Sequence, residues 1–240
     1  MNIEEKLQTI TDNMPRIFDY GKSEGIKEGR DYMWEVVQQG GNRKDYTCAF
    51  YLWDIEYIRP KYKVTPTEIY SLNQTFTKSK VKKVEKEYYD FSQKTYSANT
   101  NAGVYYTFST CSNLEEIEDI GIPLVPNYIY AFGWCSKLHT IGSPLKCDET
   151  TSWNGAFESC ANLQNFTIDG KIGVKNFNVK WSKKLTKDTI LSVLKALSLD
   201  ITATTTVTFS TVHQTTIETD PDCKPYYDAA KAAGWSFVYA

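Results

Sequence analysis

Three segments of the chain share the pattern F-x-x-C-x-x-L-x-x-(I/F): Phe108, Cys111, Leu114 and Ile117, then Phe132, Cys135, Leu138 and Ile141, then Phe157, Cys160, Leu163 and Phe166. Successive copies are offset by 24 and then 25 residues. Apolar positions that return in register at this period mark a repeat architecture, in which each copy buries its apolar edge only against its neighbours. Cysteine suits a narrow interior as a small hydrophobe. Stacked copies would also bring Cys111, Cys135 and Cys160 near one another, as a metal or disulfide cluster requires. The six cysteines, however, include no pair two residues apart and no histidine at a zinc-finger offset. Reduced packing cysteines and no metal site are the expectation.

The tails of the copies, Leu138-His139-Thr140-Ile141 and Leu163 through Ile168, alternate or are β-branched enough to be strands, with Gly142-Ser143-Pro144 and Asp169-Gly170 as turns. Degraded edge copies are read in Phe76 and Ser79 and in Val179, Ser182 and Leu185. Together with Ile120-Gly121-Ile122-Pro123 ahead of the second copy, the pattern resembles the BspA-type leucine-rich repeats of bacterial surface and phage proteins over residues 104–185. In the second copy Pro144-Leu145-Lys146-Cys147 replaces that family's usual strand. Downstream, Thr186 is placed to N-cap a helix carrying Ile190, Leu191, Val193, Leu194 and Leu197, followed by a strand at Val207-Thr208-Phe209. A second helix is expected over 224–233, ended by Gly234, before a final strand at Trp235–Tyr239. The fold class the resemblance implies is an α+β leucine-rich-repeat β-solenoid with an N-terminal helix and an α/β C-terminal cap.

Four regions follow: a helical oligomerisation or docking segment (1–40), a linker with degenerate coils (41–103), the repeat body (104–185) and the helix-strand cap (186–240). In the first, Ile3, Leu7, Ile10, Met14, Ile17 and Gly21 alternate spacings of 4 and 3, as in a coiled-coil seam, although Pro15 interrupts the run and allows a second helix to start near Asp12 or Asn13. A homo-oligomer is expected, a trimer in preference to a dimer. Trp34 to Arg43 reads W-x-x-x-Q-x-x-G-N-R, and with Lys61-Tyr62 beside Pro60 it resembles the linkers of phage-encoded repeat proteins of tail or baseplate regions. That resemblance implies a virion location and other virion proteins as partners.

A net charge of -2 leaves no global basic surface for nucleic acid, and the basic run Lys78–Lys86 is interrupted by Glu85. Met1–Lys6 carries two glutamates and lacks the pattern of a secretory signal, and no stretch approaches the roughly 18 apolar residues of a membrane span. The expectation is synthesis in a host cytoplasm, with neither nucleic-acid binding nor membrane insertion. Phosphate-cradle, nucleophile-elbow and zincin motifs are absent, and the two histidines, His139 and His213, read as packing or surface residues. Glu115, Glu116, Glu118 and Asp119 crowd together without a placeable counterpart carboxylate. No catalytic residue and no cofactor are therefore expected.

What remains is aromatic abundance, 14% of residues. Tyr105, Tyr106, Tyr128, Tyr130, Trp134, Trp153 and Trp181 are the candidate recognition residues, since aromatic rings suit protein interfaces and sugar faces; the alternative is that they fill wide coils. The reading is a non-enzymatic phage structural or adhesion protein whose repeat face meets a host-surface glycan or protein. Its rivals are a bacterial cell-surface adhesin and a carbohydrate-active virion enzyme, the latter requiring two carboxylates in an acidic cleft.

Overall fold

The structure, a computed structural model, describes residues 50, 53–54, 56–58, 72–92, 103–173, 177–201 and 205–240. All belong to one compact unit formed by residues 42–59 and 63–240. The N-terminal seam, the linker motif and Cys48 lie outside the described residues.

A spacing of three apolar residues is the period of a tight turn, not of a strand, whose side chains alternate every two. The backbone follows that period. The amide of Cys111 donates to Phe108 and that of Leu114 to Cys111, and the same pairs recur as Cys135 to Phe132, Leu138 to Cys135, Cys160 to Phe157 and Leu163 to Cys160. Amides not used within a turn donate to the next copy. Gln74, Phe76 and Lys78 donate to Tyr105, Thr107 and Ser109. Tyr106, Phe108 and Thr110 donate to Ile129, Ala131 and Gly133, and Tyr130, Phe132 and Trp134 to Asn154, Ala156 and Glu158. Each of these bonds runs from an earlier copy to a later one.

The turns place their phenylalanines in a stack. Ring centroids are 5.2 Å apart for Phe76–Phe108 and 5.7 Å for both Phe108–Phe132 and Phe132–Phe157, with planes within 14° of parallel. Four phenylalanines, each at most 2% exposed, thus form the spine of the core.

The continuous leucine-rich-repeat β-solenoid is not formed. Among the described residues the fold is α+β, with parallel pairing in three short sheets and three isolated bridges, Asn127 with Ser152, Thr140 with Asn165 and Ile172 with Leu197. The first joins β1 (Lys83–Val84), β2 (Glu116–Ile117) and β3 (Thr140–Ile141), with Val84, Ile117 and Ile141 in register. The second pairs β4 (Leu145–Cys147) with β5 (Ile168–Gly170). What interrupts the ladder is local chemistry. Pro144 has no amide to donate, and the Ser143 hydroxyl accepts the Ile120 and Gly121 amides at 2.8 and 3.1 Å, so a side chain takes donors that a strand would otherwise use. Two local expectations also change. Leu145–Cys147 is a strand instead of a replacement for one, and Asp169-Gly170 lies within β5 instead of a turn. Gly170 is required there, because a Cβ would stand 1.8 Å from the Cys147 carbonyl oxygen.

The third sheet joins β6 (Phe177–Asn178), β7 (Thr205–Phe209) and β8 (Trp235–Tyr239). Around it lie α1 (Lys187–Ala196), a 3-10 turn (Thr211–His213), α2 (Gln214–Thr219) and α3 (Lys224–Ala232). The Thr186 hydroxyl accepts the Thr189 amide at 3.4 Å and caps α1, which buries Ile190, Val193 and Leu194. Gly234, at φ 106°, ends the last helix and turns the chain into β8.

Candidate functional site

Seen from the repeat phenylalanine, two positions of each turn lie in the left-handed backbone region: the second residue before it and the second after it. In the first copy these are Gln74 and Lys78, in the next Tyr106 (φ 53°) and Thr110, then Tyr130 (φ 50°) and Trp134 (φ 61°), then Gly155 and Ser159. A side chain in this region costs roughly 1–2 kcal/mol through the approach of Cβ to the carbonyl oxygen, and glycine is exempt. Three of the largest side chains in the protein nevertheless occupy it.

Those residues form one row. The Tyr105 and Tyr106 rings meet edge to face at 4.5 Å, Tyr106 and Tyr130 lie 4.9 Å apart at 31°, and Trp134 stacks on Tyr130 at 5.2 Å and 12°. Tyr105 and Trp134, the outer members, are 36% and 37% exposed, while Tyr106 and Tyr130 are half-buried between them. Gly155 supplies the floor under Tyr130: a Cβ at this φ 63° position would come within 2.2 Å of the ring. Burial raises the Tyr106 hydroxyl pKa above its ordinary value, and the nearby tyrosines and the Glu158 carboxylate add to the effect, so the phenol stays neutral.

The other candidates fall elsewhere. Tyr128 and Trp153 are 0% and 1% exposed and stack on each other at 4.4 Å, so they fill the core. The buried indole N–H of Trp153 finds no hydrogen-bond partner among the described residues. Trp181 is exposed, with the Lys180 ammonium 5.2 Å above its ring, but it makes no ring contact with the row.

Two of the four acidic residues near the repeat are committed to an ion pair. Glu116 and Glu118 converge on the Lys83 ammonium at 2.9 and 2.6 Å. The Lys83 hydrogen bond, with help from the Lys86 amide, lowers the Glu118 pKa. That is the opposite of what a general acid needs. His213 is buried and its Nε2 donates to the Ser182 carbonyl at 2.8 Å, while His139 Nδ1 pairs with the Thr140 hydroxyl. The five described cysteines are free and buried. Burial pushes the Cys135 thiol well up and that of Cys160 to about 12. Among the described residues no group of three or more His, Cys, Asp or Glu is arranged to hold a metal ion, and no helix is long and apolar enough to cross a membrane.

Sequence reasoning named every ring of the row but missed the two backbone features that set it apart, the left-handed positions and the glycine floor. Alignment of the copies carries that signal. Tyr106, Tyr130 and Gly155 share one column, and a glycine exchanging with tyrosines marks a backbone position that favours glycine. No protein-family model, curated protein or solved structure matches this chain.

Proposed function

We propose that this chain is a non-catalytic binding protein whose recognition surface is the aromatic row Tyr105, Tyr106, Tyr130 and Trp134, and that it serves as a structural or adhesive part of a phage particle. The placement in a particle rests on the linker resemblance at Trp34–Arg43. The binding reading rests on the strained backbone. Side chains kept at positions where glycine would relieve strain are kept for what they do beyond the fold. The row is held rigid by its own stacking, so little ordering entropy is lost when a ligand docks. Glu116 and Glu118 beside the repeat are held by Lys83, and that pairing favours binding over glycan hydrolysis by these two carboxylates.

The test is the thermal stability of Tyr106→Gly, Tyr130→Gly and Trp134→Gly. Tyr106→Gly and Tyr130→Gly each lose two ring contacts and Trp134→Gly one, at about 0.5–1.5 kcal/mol apiece, and all gain unfolded-state freedom, but each relieves strain of roughly 1–2 kcal/mol. All three variants should therefore stay within about 1 kcal/mol of the parent, whereas Phe132→Ala should lose about 3–5 kcal/mol. A loss of that larger size in the glycine variants would assign the rings to the core and remove the reading.

A further inference from the structure

Beside the row stands a carboxylate without a counter-charge among the described residues. Glu158 follows Phe157 in the turn next to Trp134, and its backbone carbonyl accepts the Trp134 amide at 2.7 Å. The residue is half-buried, yet among the described residues no ion pair and no hydrogen bond engages its carboxylate. Its charge reaches the row, where burial, the neighbouring tyrosines and then Glu158 raise the Tyr106 pKa. The same column of the following copy holds a lysine, Lys180, but that ammonium lies over the Trp181 ring at 5.2 Å. Glu116 and Glu118, by contrast, share Lys83. A carboxylate taken partly out of water without a counter-charge is costly, and a cation brought by a partner removes that cost.

The rings select the kind of cation. Tyr130 covers one face of the Trp134 indole, no ring covers the other, and Trp134 is 37% exposed. The remaining rings meet at 4.5 and 4.9 Å and cover one another, so no cage of open faces surrounds a quaternary ammonium. A single indole face beside a single carboxylate suits a flat cation that stacks on the ring and turns its N–H groups to the oxygens. A guanidinium does both, whereas a lysine ammonium is compact, strongly hydrated and without a plane to stack. Resting on the reading of the row as a binding surface, we propose that it receives an arginine side chain of a partner protein, the guanidinium stacked on Trp134 and paired with the Glu158 carboxylate.

The experiment titrates the isotopically labelled full chain with N-acetylarginine amide and follows the backbone amide resonances of Glu158 and Ser159. Saturable shifts in about the millimolar range are expected, with affinity weakened about ten-fold in Glu158→Gln and about three-fold in Trp134→Gly. Removing an exposed carboxylate elsewhere, in Glu87→Gln, should leave the affinity unchanged. N-acetylcitrulline amide, which keeps the shape without the charge, should not bind, and N-acetyllysine amide should bind more weakly than the arginine. No saturable shift, equal affinity in Glu158→Gln, or citrulline or lysine binding as tightly as arginine would each overturn the proposal. If the glycine variants keep their stability while the arginine probe fails, only the choice of ligand falls. If they unfold as a core truncation does, the binding surface falls with it.

Discussion

Cysteine at 111, 135 and 160 does what an aliphatic side chain of similar size does not: each thiol donates to the carbonyl of a phenylalanine one copy back, at 2.8 Å to Phe76, 2.9 Å to Phe108 and 3.0 Å to Phe132. Serine stands at the same position in the edge copies. Ser79 contacts the Cys111 sulfur at 3.6 Å, and Ser182 donates to the Cys160 carbonyl at 3.2 Å. From Cys111 onward the column is therefore one of small side chains that return a donor to the neighbouring backbone. Cys135→Ala should destabilise by about 0.5–1.5 kcal/mol, the net worth of one hydrogen bond, because the Phe108 carbonyl keeps the Cys111 amide. With its pKa pushed to about 12, Cys160 has almost no thiolate at about pH 9. Iodoacetamide should leave the Cys135 and Cys160 peptides unmodified in the folded chain and label both in denaturant, as read by peptide mass. Labelling of the folded chain would contradict the buried assignment.

The strands are too short to hold the chain together by themselves, so what they carry matters more than their length. Lys83 of β1 bridges to Glu116 of β2 and to Glu118 just beyond it. The Glu118 pKa is depressed in the folded state, so its contribution is present above the unfolded carboxylate range and is lost as pH falls through the folded value. Glu118→Gln should cost up to about 1 kcal/mol near neutral pH, and the difference from the parent should vanish at about pH 2, as measured by urea unfolding. A pH-independent difference would point to packing instead. The C-terminal elements were legible in the sequence because their signals are local: a threonine cap before α1, Gly234 after α3, alternation in β8. The repeat body was legible as periodicity but not as conformation, since the apolar spacing fixes which residues meet and leaves open whether turns or strands present them. The row was half legible for a similar reason. Residue type alone does not separate Tyr128 and Trp153 from Tyr130 and Trp134. Aligned by copy, the first pair falls in a column with Leu72 and Val104 that is buried throughout, and Tyr130 falls in one shared with Gln74 and Gly155.

For the whole molecule, the expectation that remains open concerns Ile3, Leu7, Ile10, Met14 and Ile17, which lie outside the described residues. If they form an assembly seam, light scattering should give a multiple of 27.5 kDa for the full chain, and a monomer for a chain beginning at Tyr32. A monomer in both would leave that segment as a docking element for another protein. The repeat body itself has a direction: its phenylalanine turns pass their amides from the earlier copy to the later, while the segments after them pass theirs back, Glu115 to Lys82, His139 to Glu115 and Gln164 to His139. A stack of this kind has two unlike ends, each offering donors from one segment and acceptors from another. Two such bodies that met through their backbones would join head to tail, a heterologous contact that builds rings or filaments and not closed pairs.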